Sequence, residues 1–205
     1  MDLGVTHDLA RAPGAAAWPG VYPALVVDNK DPDNLGRVMV SLPWAPDLGV
    51  EPYAAWARLA TLMAGNKRGT LFIPEVNDEV LVAFQGGDPG RPIVIGALWN
   101  GRNLPPQATD RSGHNNLKSI VTRNGVTLEF SDDTGVEALS LRTPGGNKLV
   151  LKDGPGVVTI TDSNGNVVRL DSDGIALLSS KNVRIDGVEV TINATKYKLN
   201  TTKVE

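Results

Sequence analysis

The stretch GNKLVLKDGPGVVTITDSNGNVVRLDS, residues 146–172, decides the fold of this chain. It holds one unit twice. Gly146-Asn-Lys-Leu-Val-Leu-Lys-Asp153 aligns with Gly165-Asn-Val-Val-Arg-Leu-Asp-Ser172 at an offset of 19 residues, and Gly125-Val-Thr-Leu-Glu-Phe-Ser-Asp132 stands 21 residues before Gly146. Self-similarity at about 20 residues marks a repetitive architecture in which one supersecondary unit stacks on the next. Within each unit apolar residues recur at every second position, the period of a half-buried strand. Leu128/Phe130 is followed by Leu139/Leu141, Leu149/Leu151 by Val158/Ile160, and Val168/Leu170 by Ile175/Leu177, with Asp- and Gly-rich turns between them. The pattern runs on through Val183/Ile185 and Val188/Val190/Ile192.

These strands are thin. Each offers two or three aliphatic residues on one face and Thr, Asp, Lys, Arg, Ser or Asn on the other. From residue 119 onward the only aromatics are Phe130 and Tyr197. Two arrangements can cover such stripes. One is a single-chain sandwich. The other wraps three identical chains around a shared axial core of Val, Ile and Leu, each chain contributing one wall. Periodicity alone leaves both open.

Upstream, the pattern changes. Tyr22–Val27, Gly36–Leu42, Trp56–Ala60, Gly69–Ile73, Glu79–Phe84 and Pro92–Leu98 read as short strands separated by Pro, Gly, Asp and Asn. Strands this short, with no long helix to cover their edges, predict a small closed barrel. The chain therefore divides into an N-terminal arm (1–20), a barrel (21–101), a polar connector (102–118) and a repetitive shaft (119–205). The arm is rich in Ala, Gly and Pro. It reads either as a flexible tail or as a segment that orders against a partner with Trp18 as anchor.

Composition narrows the function. The 205 residues carry a net charge of −3, with an isoelectric point near 5.4, which argues against a general nucleic-acid binder. There is no cysteine, so disulfides, thiolate metal sites and thiol nucleophiles are excluded. Asp2, His7, Asp8 and Arg11 interrupt the N-terminal residues, so no signal peptide is expected.

Catalytic chemistry finds little support. The two histidines, His7 and His114, have no triad frame around them, and His114 reads as a solvated connector residue. Asp132-Asp133 and Asp171-Ser-Asp173 sit in turns, where carboxylates cap backbone groups. Gly86-Gly-Asp-Pro-Gly90 lacks the Lys-Ser/Thr ending of a phosphate loop. Trp44, Trp56, Phe72, Phe84 and Trp99 read as core residues, and Arg37, Arg58, Lys67, Arg68 and Arg91 as dispersed charges. No enzyme activity, cofactor or metal is expected.

Asp31-Pro-Asp-Asn-Leu-Gly-Arg-Val38, Trp56-Ala-Arg58, Phe72-Ile-Pro-Glu-Val-Asn-Asp-Glu-Val-Leu-Val-Ala-Phe84, Gly87-Asp-Pro-Gly-Arg-Pro-Ile-Val-Ile-Gly96 and Trp99-Asn-Gly101 follow one another in a specific order. In that order they resemble the oligonucleotide/oligosaccharide-binding (OB) barrel of phage baseplate assembly protein V and of VgrG-type spike proteins of contractile injection systems. One departure is Asn77, where the family has Gly; Asn tolerates the left-handed backbone. Thr143-Pro-Gly-Gly-Asn147 and Leu151-Lys-Asp-Gly154 are similar to junctions of the family's β-helix.

The resemblance implies an all-β homotrimer: an N-terminal OB-fold barrel followed by an intertwined triple-stranded β-helix. Its axial core would be Leu149, Leu151, Val168, Leu170, Ile185, Val190 and Ile192. The implied role is structural, a membrane-puncturing spike at the centre of a baseplate, in transient contact with a target membrane. It would assemble in the cytoplasm, sit on a separate hub protein and be capped by a PAAR-type tip at the polar end around 196–205. The last 90 residues hold no His-x-His tip motif, and the connector is too short for an inserted lysozyme domain. The rival reading is a binding module that uses its barrel for carbohydrate or single-stranded nucleic acid.

Overall fold

A computed structural model of the chain describes residues 17–43, 45, 53–108, 110–196 and 198. The expectations for His7, Trp44, most of the N-terminal arm and the end of the polar tail lie outside the described residues. The chain is all-β and divides into two compact units, 1–107 and 108–205. The division falls inside the Pro-containing connector.

In the first unit β1 (Val21–Asp28), β2 (Val38–Ser41), β3 (Ala54–Leu59), β6 (Glu79–Phe84) and β7 (Pro92–Leu98) close into a barrel in the order β1-β2-β3-β7-β6. All neighbours are antiparallel except β3 and β7. Alternation places Ala24 and Val26 of β1, Val38 and Val40 of β2, Ala57 of β3, Val80, Val82 and Phe84 of β6, and Val94 of β7 inside, with Leu42 beside them. The period-2 reading of Val38, Val40 and Leu42 thus marks core positions.

Each end of the barrel has its own lock. At one end Asp31, 4% exposed at its side chain, accepts the backbone N–H of Asp33, Leu35 and Arg37 and the Arg37 guanidinium at 2.6 Å. The Arg37 guanidinium also lies 5.7 Å from the Trp56 ring centroid. At the other end Trp18, Tyr22 and Tyr53 pack around Phe84. The Trp18 N–H donates to the Gly87 carbonyl at 3.0 Å. Trp18 therefore anchors the arm on its own barrel. Asn77 has φ +76°, the left-handed conformation expected there.

Two expectations for the barrel are corrected. Gly69–Ile73 is not a barrel strand: β4 (Ala64–Gly65) and β5 (Arg68–Gly69) form a two-stranded hairpin, and residues 70–73 are irregular. Phe72 and Trp99 are 68% and 71% exposed, and Trp56 is half-buried on the outward side of β3, so none of the three is a core residue. Phe72 lies beyond the hairpin and Trp99 just past β7, where no ladder turns a side chain inward.

The second unit is a meander of seven antiparallel strands in chain order: β8 (Leu117–Val121), β9 (Thr127–Ser131), β10 (Ala138–Arg142), β11 (Lys148–Lys152), β12 (Val157–Thr161), β13 (Val167–Asp171) and β14 (Gly174–Leu178). β8 begins inside the stretch read as connector. These strands pair with their own sequence neighbours, because turns of two to six residues favour local antiparallel pairing. Residues 179–196 and 198 form no strand within one chain.

Candidate functional site: an uncovered apolar sheet face

The repeat at Gly125, Gly146 and Gly165 is a turn repeat. In each turn the glycine N–H donates to the carbonyl three residues back: Gly125 to Thr122 at 2.8 Å, Gly146 to Thr143 at 3.0 Å and Gly165 to Asp162 at 3.2 Å. The side chain of that first residue accepts the N–H four residues on: Val126 to Thr122 Oγ1, Asn147 to Thr143 Oγ1 and Asn166 to Asp162 Oδ1. The glycines have φ +84°, +92° and +82°, a region closed to most side chains. Asp162 also accepts both Asn164 and Asn166 side-chain amides. These bonds, those to Asn166 foremost, hold its carboxyl down at about 2.

Identical turns fix identical registers. Ile120, Leu128, Leu141, Leu149, Ile160, Val168 and Leu177 lie opposite one another from strand to strand in one continuous file. A second file runs Phe130, Leu139, Leu151, Val158, Leu170, Ile175. At β8 this second file ends on Lys118, which pairs with Asp132. With strands about 4.8 Å apart, the seven-strand file spans roughly 30 Å. The central file of the reverse face runs Ser119, Glu129, Ser140, Val150, Thr159, Arg169 and Ala176, with Arg142 bonded to Glu129 at 2.7 Å.

The apolar face is uncovered. Leu141, Leu151, Ile160, Ile175 and Leu177 are all exposed, Ile160 at 51%. Every buried hydrophobic residue of the described chain belongs to the barrel; the meander buries only Ser140. A sheet open on both faces has no source of cohesion beyond its ladders and is marginal alone in water.

Of the seven candidate axial residues, Leu149, Leu151, Val168 and Leu170 share this face. Ile185, Val190 and Ile192 do not join it; they are exposed in the strandless stretch after β14. Sequence reading overlooked Ile120, which stands within the stretch read as shaft (119–205) but shares its face of β8 with the charged Lys118.

Elsewhere, Asp171 Oδ1 accepts the Asp173 N–H at 2.9 Å, whereas the Asp132 and Asp133 carboxylates, expected to cap backbone groups, bind side chains instead: Asp132 the Lys118 ammonium, Asp133 the Asn116 amide and the Ser131 hydroxyl. His114 is exposed, with Nδ1 2.8 Å from Ser112 Oγ. Among the described residues no cluster of His, Asp or Glu has metal-binding geometry, and no helix is long and apolar enough to cross a membrane.

Comparison with known proteins agrees with this division. Residues 22–99 match the type VI secretion system/phage-baseplate injector OB domain, and residues 138–198 match the phage baseplate V C-terminal trimerisation domain. The type VI secretion system spike protein VgrG3 of Vibrio cholerae is 34% identical over 113 residues, 53% of this chain and 11% of that protein. The type VI secretion system spike protein VgrG1a of Pseudomonas aeruginosa is 31% identical over 102 residues, 49% of this chain and 16% of that protein. The actin cross-linking toxin VgrG1 of Vibrio cholerae is 32% identical over 113 residues, 53% of this chain and 10% of that protein. The matches thus span a small part of these longer relatives. With the injector OB domain followed by the trimerisation domain, this chain belongs to the family of baseplate V and VgrG-type spike proteins.

Proposed function

We propose that this chain is a structural, non-enzymatic spike that works as a homotrimer at the centre of a contractile baseplate. The observation that carries this reading is the pair of uncovered apolar files in a unit whose described residues include no buried hydrophobic one. Three such sheets turned inward would cover one another. Each Leu, Ile or Val fully buried there stabilises the assembly by roughly 1.5–3 kcal/mol. The match of residues 138–198 to a trimerisation domain supports the number three.

In this reading the shaft transmits the thrust of contraction to a target membrane. Each wall is a continuous seven-strand ladder, which resists shear because its hydrogen bonds must break together. Leu149, Leu151, Val168 and Leu170 form part of the shared core. Ile185, Val190 and Ile192 join it where the stretch after β14 finds partner chains. A separate hub seats the barrels, a PAAR-type protein covers the forward end, and assembly takes place in the cytoplasm. These partners rest on the family resemblance.

Sedimentation equilibrium of the full chain tests the reading. A mass three times that of one chain is expected; a monomer at micromolar concentration overturns it.

A further inference from the structure

The barrel carries two apolar surfaces that its own fold does not use. The first lies under the β4–β5 hairpin, a groove of about 930 Å³ whose walls include Leu35, Leu62, Met63, Leu71, Phe72 and Ile95. Leu62 is 95% exposed. The hairpin is a built feature rather than a loose loop. Thr61 Oγ1 donates to the Thr70 carbonyl at 2.8 Å, and the Thr70 N–H donates to the Met63 carbonyl at 3.0 Å. Gly69 has φ +155°, and a Cβ there would lie 2.5 Å from the Met63 carbonyl. Its distal end carries Lys67 and Arg68, which have no ion-pair partner among the described residues.

The second surface is the outer face of β1 and β6. Alternation that sends Ala24, Val26, Val80 and Val82 inward sends Val21, Leu25, Val27, Leu81 and Ala83 outward. At one end this face is acidic, with Asp28, Asp78 and Glu79. Among the described residues the donors to their carboxylates are neutral: the Lys30 and Glu75 backbone N–H groups and the Asn100 amide. The same end of the barrel holds Leu35 and Gly36, which line the groove together with Lys67 and Arg68, so the groove and the acidic strand ends belong to one end of the barrel.

A rotation about a three-fold axis keeps every feature at its own level and requires a heterologous contact: one surface of a copy against a different surface of the next. Two non-overlapping apolar surfaces, one basic at its rim and one acidic, meet that requirement. Tethering to a trimerisation unit on the same chain holds neighbouring barrels at high effective concentration. We propose that the three barrels close into a ring in which the β4–β5 hairpin of one copy lies over the outer β1–β6 face of the next, with Lys67 and Arg68 against the neighbour's Asp28, Asp78 and Glu79. This rests on the trimeric reading of the shaft and extends it to the barrel.

Cysteine cross-linking of the full chain, which has no native cysteine, tests the ring. Arg68→Cys is combined in turn with Leu25→Cys, Val27→Cys and Asp28→Cys, all at surface positions. Oxidation is expected to shift at least one pair from single chains to a covalent trimer in denaturing gels, while each single-cysteine variant stays uncoupled. As a second readout, Lys67→Glu with Arg68→Glu should reduce cross-linking between Leu71→Cys and Val27→Cys, and adding Asp28→Lys with Glu79→Lys should restore it. A chain that sediments as a trimer yet yields no covalent trimer from any pair overturns the ring and leaves the trimeric shaft standing. A monomer overturns both.

Discussion

Ile160 stands directly opposite Leu149 across the β11–β12 ladder, and both belong to a file of aliphatic side chains that the described residues leave uncovered. A charge at this position distinguishes an assembly face from a solvated one. Ile160→Asp is expected to convert the trimer to monomer, because a buried unpaired carboxylate costs several kcal/mol in each chain. Thr159→Asp, one residue away on the reverse face, should leave the sedimentation mass unchanged.

Truncation at the same face should weaken the assembly without abolishing it. Leu151→Ala is expected to cost about 2–5 kcal/mol per chain, the range for a core leucine. The effect should appear as a lower thermal midpoint that depends on protein concentration. A midpoint equal to wild type would place Leu151 in solvent.

In the barrel, Phe84 is 7% exposed and meets Trp18 edge-on at 5.2 Å between ring centroids. Phe84→Ala is expected to destabilise the barrel by about 3–5 kcal/mol. It should also free the arm, seen as faster proteolysis near residue 18. Trp18→Ala should free the arm with a smaller loss of stability, since the rest of the barrel core stays intact.

Gly69→Ala should melt the hairpin and spare the barrel. The added methyl group meets the Met63 carbonyl at a distance no side chain tolerates, while the barrel core lies elsewhere. Hydrogen exchange should quicken at Thr70, whose N–H donates to that carbonyl, with protection in β2 and β3 unchanged.

Acid should loosen two specific points. Arg37 holds the Asp31 carboxyl far below the usual carboxylate range, and hydrogen bonds from Asn166 and Asn164 hold Asp162 at about 2. Both values are lower in the folded chain than the usual ~3.9. Their stabilisation is therefore complete above about pH 4 and lost as the pH falls through the folded values. For Asp162 the loss runs from about pH 4 to about pH 2. Asp31→Asn should lower the melting temperature at pH 7 and flatten its decline on acidification, measured by thermal melts at stepped pH.

Much of this was legible in the chain because alternation is a local property. Val38, Val40 and Val80 and Val82 announce their burial by spacing, and the Gly125, Gly146 and Gly165 turns by their recurrence. Phe72 and Trp99 misled for a related reason: both border apolar runs, yet neither sits in a ladder that would point it inward. Ile120 was missed because β8 (Leu-Lys-Ser-Ile-Val) does not alternate cleanly: Lys118 shares the face of Ile120, while Leu117 and Val121 stand on the other.

An all-β chain, a barrel followed by a repetitive unit, and strands too thin to enclose a core can all be read from the residues alone. Those follow from composition and period, which each residue and its near neighbours set. Tertiary structure alone decided that thirteen side chains from seven strands align into two files on one face. It also decided that Trp18 closes the barrel it precedes and that the β4–β5 hairpin stands off the barrel with an apolar groove beneath it. Register and closure depend on hydrogen bonds between residues distant in the chain. A one-residue slip in a single turn would send a strand's apolar set to the opposite face.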